Sequence, residues 1–117
     1  MASFSEAMVL GKSLGFDDET LFNTLLGGPV TAPYLSAKKQ KFTTGKYETD
    51  FPLQWMQKDL KLVSETADDK NISLPTANTV REEFAKANQN GFGEEDFSAL
   101  YKYFTTQNKL KPSKKNR

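Results

Sequence analysis

The sequence predicts an all-α protein: a single domain of about six helices around a long central helix. Apolar residues recur at intervals of three and four in every segment with a clear period, and no run alternates polar and apolar residues as a half-buried strand does. Glycine, proline and capping residues separate the segments. With 117 residues, 37% of them hydrophobic, the chain can bury one modest core, which argues against a second domain.

Two predicted helices occupy the start of the chain. The first has a possible capping box formed by Ser3 and Glu6 and ends at Gly15. The second begins at Asp17, whose side chain can cap it, and ends at Gly27. The residues expected to face the core are Ala7, Leu10, Leu14, Leu21, Phe22 and Leu25.

The third predicted helix runs from Pro33 to Phe42 and carries three lysines, Lys38, Lys39 and Lys41. Such a group invites interpretation as a phosphate site. Successive helical residues point about 100° apart, however, so the three ammonium groups spread around the helix. We therefore expect a solvated face and no convergent pocket.

The central helix is predicted from Pro52 to about Lys70. Pro52 suits the first helical turn, and Asp50 can cap the free amides. Lys58 and Asp59 flank the core-facing stripe of this helix. The stripe itself consists of Leu53, Met56, Leu60, Val63 and Ala67.

Three residues in this region are candidates for a chemical site. If Phe51 lies on the helical path, it shares a face with Lys58, seven residues later and about two turns away. Phe51 could equally be a core aromatic at the helix entry, and Lys58 a solvated lysine. Asp59 is either an ordinary helix acid paired with a nearby lysine or a hydrogen-bond acceptor in the site.

The last two predicted helices flank a glycine-containing segment. One begins at Pro75, carries Phe84 in its core face and ends at Asn90-Gly91; the other begins at Glu94 or Asp96. The segment Gly91–Asp96 comes nearest to a dinucleotide fingerprint. It has an aspartate at the third glycine position and follows a helix, so we interpret its acids as helix-capping residues.

Composition narrows the chemistry further. The chain contains no cysteine and no histidine, which excludes disulfides, thiolate nucleophiles and the commonest metal ligand, so we predict no metal site. It has neither an apolar run of about eighteen residues nor a secretory leader, and we expect a cytoplasmic protein without membrane contact.

The end of the chain differs from the rest in charge. Residues 105–117 hold five of the sixteen lysines and arginines and none of the acids. We predict that this basic tail is disordered, because it has almost no apolar residues to offset the entropy of ordering. A solvated tail is favoured over one that binds nucleic acid or acidic lipid, since no aromatic residue interrupts the charges.

An aromatic residue followed seven positions later by Lys-Asp-Leu in a helix resembles the fourth motif of the β-hydroxyacid dehydrogenases. This family includes 3-hydroxyisobutyrate dehydrogenase and the glyoxylate and succinic semialdehyde reductases. Here the motif is Phe51 with Lys58-Asp59-Leu60. The opening of that family's C-terminal domain is similar to the segment Glu6–Gly28. Its ending is similar to Leu74-Pro75 before a helix, followed by Asn90–Ala99. The resemblance covers residues 1–104 and implies a helical domain of the 6-phosphogluconate dehydrogenase C-terminal type.

The resemblance also implies roles. Phe51 and Lys58 would be cofactor-binding residues at the nicotinamide, and Asp59 a catalytic residue that orients the substrate or the acid lysine. The cofactor of the full-length enzyme would be NAD or NADP, and the substrate a small hydroxy acid or aldehyde acid.

The Rossmann domain and the acid lysine would lie upstream of this sequence, so no cofactor binding or activity is expected of the chain alone. A homodimer is implied, with Trp55 and Met56 at its interface. The alternative is a free-standing, non-catalytic dimerisation or regulatory module with the same fold.

Overall fold

The computed structural model describes residues 1–110. These residues form seven α-helices, one π-helical turn (Asn88–Phe92) and one 3₁₀ turn (Phe97–Ala99), with no β-strand among them, which confirms the all-α prediction. The helices are α1 Ala2–Ser13, α2 Asp18–Leu25, α3 Pro33–Ala37, α4 Lys39–Thr44, α5 Leu53–Asp69, α6 Pro75–Ala87 and α7 Leu100–Gln107.

The predicted boundary between domain and tail, at residues 104 and 105, falls inside a helix. Helix α7 continues to Gln107, and its end is closed by hydrogen bonds from the Asn108 amide to the Phe104 carbonyl and from the Leu110 amide to the Thr105 carbonyl. Most of the basic tail, residues 111–117, lies outside the described part of the chain.

The chain folds as two compact units. The first contains Met1–Lys46 and continues at Tyr101, and the second contains Tyr47–Leu100. The second unit is therefore an insertion in the sequence of the first. This division was not foreseen from chain length, which suggested one undivided domain.

Aromatic rings form the core of the first unit. The centre of the Phe42 ring lies 5.1 Å from that of the Phe4 ring, 6.4 Å from that of the Phe22 ring and 5.5 Å from that of the Tyr101 ring. The Phe42 and Tyr101 rings meet edge-on. All four residues are buried. Contacts between rings at such distances add to the stabilisation from their buried area.

Helix α1 presents a different face to this core from the one predicted. Leu10 and Leu14 are 61% and 68% exposed, whereas Phe4, Met8 and Gly11 are buried. Gly11 lies against α2, since a Cβ atom on it would overlap the end of the Leu21 side chain. The predicted Ser3–Glu6 capping box is also absent: Met1 is the N-cap and no side chain caps α1.

Lys12 holds the end of α1 to the start of α2. Its ammonium lies 2.8 Å from the Asp18 carboxylate and 5.7 Å from the centre of the Tyr101 ring. Burial by itself lowers the pKa of Lys12, but the hydrogen bonds and charge interactions with Asp18 and Tyr101 outweigh it and raise the pKa above its usual value.

The third predicted helix is two helices in the structure. Lys38 ends α3 and begins α4, with φ −87° and ψ −4°, and only 8% of it is exposed. Lys38 therefore does not belong to a solvated face, contrary to expectation. Lys39 is exposed and places its ammonium 5.4 Å from the centre of the Phe22 ring, so these two neighbouring lysines lie in different surroundings.

The second unit is built on the packing of α5 against α6. Leu53 and Ala67 of α5 are buried, as predicted, and Phe84 and Ala87 of α6 are 2% and 0% exposed. Pro75 occupies the first turn of α6, where its missing N–H leaves no hydrogen bond unmade.

One position of the predicted α5 stripe is wrong. Val63 is 47% exposed, and its neighbour Ser64 is buried in its place at 2%. The Ser64 hydroxyl donates to the Leu60 carbonyl at 3.0 Å and lies 2.8 Å from the Asn78 amide oxygen of α6. A polar residue can occupy this core position because its hydroxyl group is hydrogen-bonded.

Among residues 1–110, no helix has both the length and the apolar character that a bilayer-spanning segment requires.

Candidate functional site

The candidate residues lie at and beyond the start of α5, which is anchored by a loop distant in sequence. We call residues 50–54 and 93–98 together the α5 entrance. Pro52 is the N-cap and Leu53 the first helical residue, and no side chain caps the helix, so the predicted Asp50 cap is wrong. The Leu53 and Gln54 amides instead donate to the main-chain oxygens of Glu95 and Gly93, each at 2.9 Å.

The glycines of the fingerprint-like segment have structural roles here. Gly91 has φ +93°, a left-handed conformation that side chains disfavour. A Cβ atom on Gly93 would overlap the side-chain amide of Asn88, which donates to the Gln57 side chain at 2.7 Å. Because the first amides of α5 are already occupied by main-chain oxygens, they are not available to a phosphate group.

Asp96 caps the 3₁₀ turn through the Ser98 amide, which confirms the capping interpretation for this acid. The same carboxylate also contacts residues 50–54, the other segment of the α5 entrance. Its Oδ1 accepts from the Asp50 and Phe51 amides at 3.1 and 3.2 Å. Sequence reasoning missed this second role, because nothing local indicates a contact across 45 residues.

Phe51 precedes the helix by two residues and does not lie on the helical path, so the seven-residue spacing to Lys58 does not by itself put them on one face. Its half-buried ring lies 6.1 Å from that of Trp55 and 6.3 Å from that of Phe97, nearly edge-on to both. Two aromatic neighbours and a hydrogen-bonded main chain therefore define the position of Phe51.

Lys58 and Asp59 are exposed on α5. Within residues 1–110 no ion pair or hydrogen bond holds either side chain, so the alternative in which Asp59 pairs with a nearby lysine is not seen. Lys61 pairs with Glu65 instead, at 3.7 Å. The Lys58 ammonium and the Asp59 carboxylate are therefore accessible on this face of α5.

Trp55 connects the candidates to one another. It contacts Phe51 and precedes Lys58 and Asp59 by three and four residues, which makes all three helix residues surface neighbours. Sequence reasoning assigned Trp55 to an interface alone, although its spacing to Lys58 and Asp59 could have indicated this position. The four side chains together offer an aromatic surface, a cationic hydrogen-bond donor and an anionic acceptor.

A metal site and an apolar cleft are two other kinds of site that a small domain can contain. In residues 1–110, no group of three or more acidic residues is placed to hold a metal ion. The first unit contains a cleft of about 300 Å³ lined by residues that include Phe4, Leu25 and Leu35. None of the candidate residues lines this cleft.

Comparison with known proteins identifies the family. Residues 1–104 match the family model described as "NAD-binding of NADP-dependent 3-hydroxyisobutyrate dehydrogenase". The chain belongs to the 3-hydroxyisobutyrate dehydrogenase family. The resemblance seen in the Phe51 and Lys58-Asp59-Leu60 motif is therefore confirmed at the level of the family.

Named relatives support this family assignment. Glyoxylate/succinic semialdehyde reductase 1 of Arabidopsis thaliana is 36% identical over 86% of this chain and 35% of its own length. Cytokine-like nuclear factor N-PAC of Xenopus tropicalis is 31% identical over 89% of the chain and 20% of its own length.

The fold of this family member matches a solved structure as well. A 3-hydroxyisobutyrate dehydrogenase from Salmonella typhimurium superposes with a TM-score of 0.80 at 29% identity, over 88% of this chain and 36% of that one. The chain thus spans about a third or less of the length of these proteins, and its relatives include both enzymes and a nuclear factor.

Proposed function

We propose that the chain is the helical substrate-side and dimerisation domain of an NAD(P)-dependent 3-hydroxyacid dehydrogenase or semialdehyde reductase. The observation that carries this proposal is the exposed pair Lys58 and Asp59 beside the Phe51–Trp55 aromatic surface, where the sequence resembles the family's fourth motif. The family model's description as NAD-binding supports a cofactor contact in this region.

Each candidate residue has a role that its chemistry suits. The Phe51 ring borders the nicotinamide. The Lys58 ammonium, with three N–H donors, orients the ring through its carboxamide oxygen. Asp59 accepts a hydrogen bond from the substrate or from the acid lysine of the other half, and so fixes the geometry of proton transfer without being the main proton donor.

The dinucleotide phosphates would bind to a Rossmann half supplied from outside residues 1–104. In such domains the pyrophosphate lies at a glycine-rich turn before a helix, and the first amides of α5, Leu53 and Gln54, are bonded to main-chain oxygens. NAD or NADP therefore belongs to the assembled enzyme, and we expect the isolated chain to bind neither. Micromolar binding in a calorimetric titration of the chain would contradict this.

Reconstitution tests the proposal directly. The dinucleotide-binding half of the Arabidopsis glyoxylate/succinic semialdehyde reductase 1 is expressed separately and mixed with this chain. NADH or NADPH oxidation is then followed with glyoxylate and with succinic semialdehyde. We expect activity from the mixture and none from either part alone.

Variants of α5 then test the roles of the residues. Asp59→Ala should lower kcat about a hundredfold, because loss of an orienting hydrogen bond misplaces the reacting groups. Asp69→Ala removes an exposed acid from the end of the same helix and should leave kcat unchanged. Equal effects of the two substitutions would remove Asp59 from the site.

A second candidate is a free-standing, non-catalytic dimerisation or regulatory module. It is favoured by the apolar face of α5, where Trp55 and Leu62 are 54% and 51% exposed, and by a relative that is named a nuclear factor. Sequencing the transcript upstream of the Met1 codon separates the candidates, since an encoded dinucleotide-binding half supports the enzyme and a start at Met1 supports the module.

A further inference from the structure

Asp96 is a buried carboxylate at the α5 entrance, with 0% of its surface exposed. Oδ1 accepts from the Asp50 and Phe51 amides, and Oδ2 accepts from the Ser98 amide at 3.1 Å and from the Ser98 hydroxyl. A charged group can be buried in this way because donors surround both of its oxygens.

The contacts of Asp96 exceed what a cap requires. Capping the 3₁₀ turn needs the Ser98 contact alone, whereas the Oδ1 contacts reach residues 46 and 45 positions earlier. The Phe97 amide also donates to the Phe51 carbonyl at 2.8 Å. The Phe51 peptide groups are therefore held at both the N–H and the C=O, immediately before the fixed φ of Pro52.

We propose that Asp96 is a positioning residue that sets the place of the Phe51 ring at the nicotinamide side of the site. The presence of a nicotinamide beside Phe51 rests on the proposed function; the hydrogen bonds between Asp96 and the Phe51 main chain do not. Asp96 touches neither cofactor nor substrate. It acts through the Phe51 main chain, and the Phe51 ring in turn is packed between Trp55 and Phe97.

Two substitutions separate this role from capping. Asp96→Ser keeps an oxygen that can accept from the Ser98 amide and cap the 3₁₀ turn. The serine side chain is too short to reach the Asp50 and Phe51 amides as well. Asp96→Asn keeps the reach and one acceptor oxygen without the charge. Glu94→Ser, at an exposed acid of the same loop, is the matched control.

Hydrogen exchange followed by NMR on the whole chain measures the first consequence. In Asp96→Ser, exchange of the Phe51 amide should accelerate about tenfold or more, as expected on losing a hydrogen bond to a charged acceptor, while the amides of Phe84 and Ala87 in α6 stay protected. Asp96→Asn should restore most of the protection. Equal acceleration throughout residues 47–100, or an unchanged Phe51 amide, would overturn the proposal.

The only tryptophan of the chain gives an independent signal. The Trp55 indole N–H resonance senses the ring current of Phe51, because the centres of the two rings lie 6.1 Å apart. This resonance should shift in Asp96→Ser and stay in place in Glu94→Ser. An indole resonance unmoved in both variants would show that Asp96 does not set the ring position.

The reconstituted enzyme tests the link to catalysis. Asp96→Ser should lower kcat more than it raises the cofactor KM, because binding of the dinucleotide phosphates is untouched and only the orientation of the nicotinamide is loosened. An increase in cofactor KM alone would contradict this. If wild type gives no activity on reconstitution, the proposed function fails, while exchange at Phe51 still decides whether Asp96 positions it.

Discussion

Asp17 shows how a single side chain fixes where a helix begins. Its carboxylate accepts from the Thr20 amide at 2.7 Å, and this contact lowers the pKa of Asp17 below its ordinary value. A lowered pKa in the folded state means that the carboxylate stabilises the fold at pH values above the ordinary pKa. That contribution is lost as the pH falls through the lowered value.

We expect Asp17→Ala to lower the melting temperature at neutral pH, because a free amide at the start of α2 loses its acceptor. Asp17→Asn keeps the cap but has no group that titrates. Its melting temperature should therefore fall less than that of wild type as the pH is lowered. Thermal unfolding followed by circular dichroism from pH 7 to pH 2 measures both effects. A melting temperature of Asp17→Ala equal to that of wild type at pH 7 would contradict this account.

The candidate residues differ in how far the sequence could predict their surroundings. The positions of Lys58 and Asp59 on an exposed helix face follow from periodicity, and the structure agrees. The surroundings of Phe51 do not, since they depend on Asp96 and Phe97, more than 40 residues away. Local rules can predict a cap, but they contain no information on which distant loop will supply the acceptors.

At the scale of the element, α5 depends on a loop in which a methyl group added at Gly93 would displace the end of the Asn88 side chain. Gly93→Ala would push against the Asn88 amide while the Gly93 carbonyl caps α5 through Gln54. We expect a loss of about 1–3 kcal/mol in the free energy of unfolding, typical of overpacking. Chemical denaturation with urea measures this quantity.

Gly28→Ala provides the control for Gly93→Ala. Gly28 has no positive φ, and the nearest atom to an added Cβ, on Thr31, lies 3.7 Å away. This substitution should change the free energy of unfolding by less than about 0.5 kcal/mol. Equal losses in the two variants would show that the Asn88 contact is not the cause.

The stripe of α5 shows where pattern reasoning reaches its limit. Leu53 and Ala67 are buried as expected, whereas Val63, which the spacing of apolar residues placed in the stripe, is exposed. The buried Ser64 depends on Asn78 of another helix. Hydrophobic periodicity cannot anticipate such a partner, since it treats every polar residue as exposed.

At the scale of the whole molecule, the apolar outer face of α5 predicts self-association. Trp55, Leu62 and Val63 are 54%, 51% and 47% exposed there. If this face is a dimer interface, Leu62→Lys should weaken the dimer about a hundredfold or more, because two apolar side chains lose their burial and two charges take their place. Sedimentation equilibrium measures the dissociation constant.

Ile72→Lys is the control for the dimer. Ile72 is 56% exposed but lies beyond the end of α5, so its replacement should leave the dissociation constant unchanged. A wild-type chain that stays monomeric at millimolar concentration, or equal weakening by both substitutions, would exclude this face as the interface.

The division into two units marks the other limit of prediction. Most helices could be inferred from their own residues, although α3 and α4 were expected as one. The return of the chain to the first unit at Tyr101 depends instead on ring contacts such as that between Phe42 and Tyr101. These residues are 59 positions apart in the sequence. No local pattern in the sequence predicts this contact.

The last part of the second unit returns to its start: the amide of Asp96, four residues before the unit ends at Leu100, donates to the carbonyl of Tyr47, the first residue of the unit, at 3.1 Å. A segment with adjacent ends can be exchanged between genes by recombination without rerouting its flanks. Phe51, Lys58, Asp59 and Asp96 all lie within this segment. A lineage that acquires the segment therefore acquires these four proposed residues at once, and ancestral reconstruction should find them changing together.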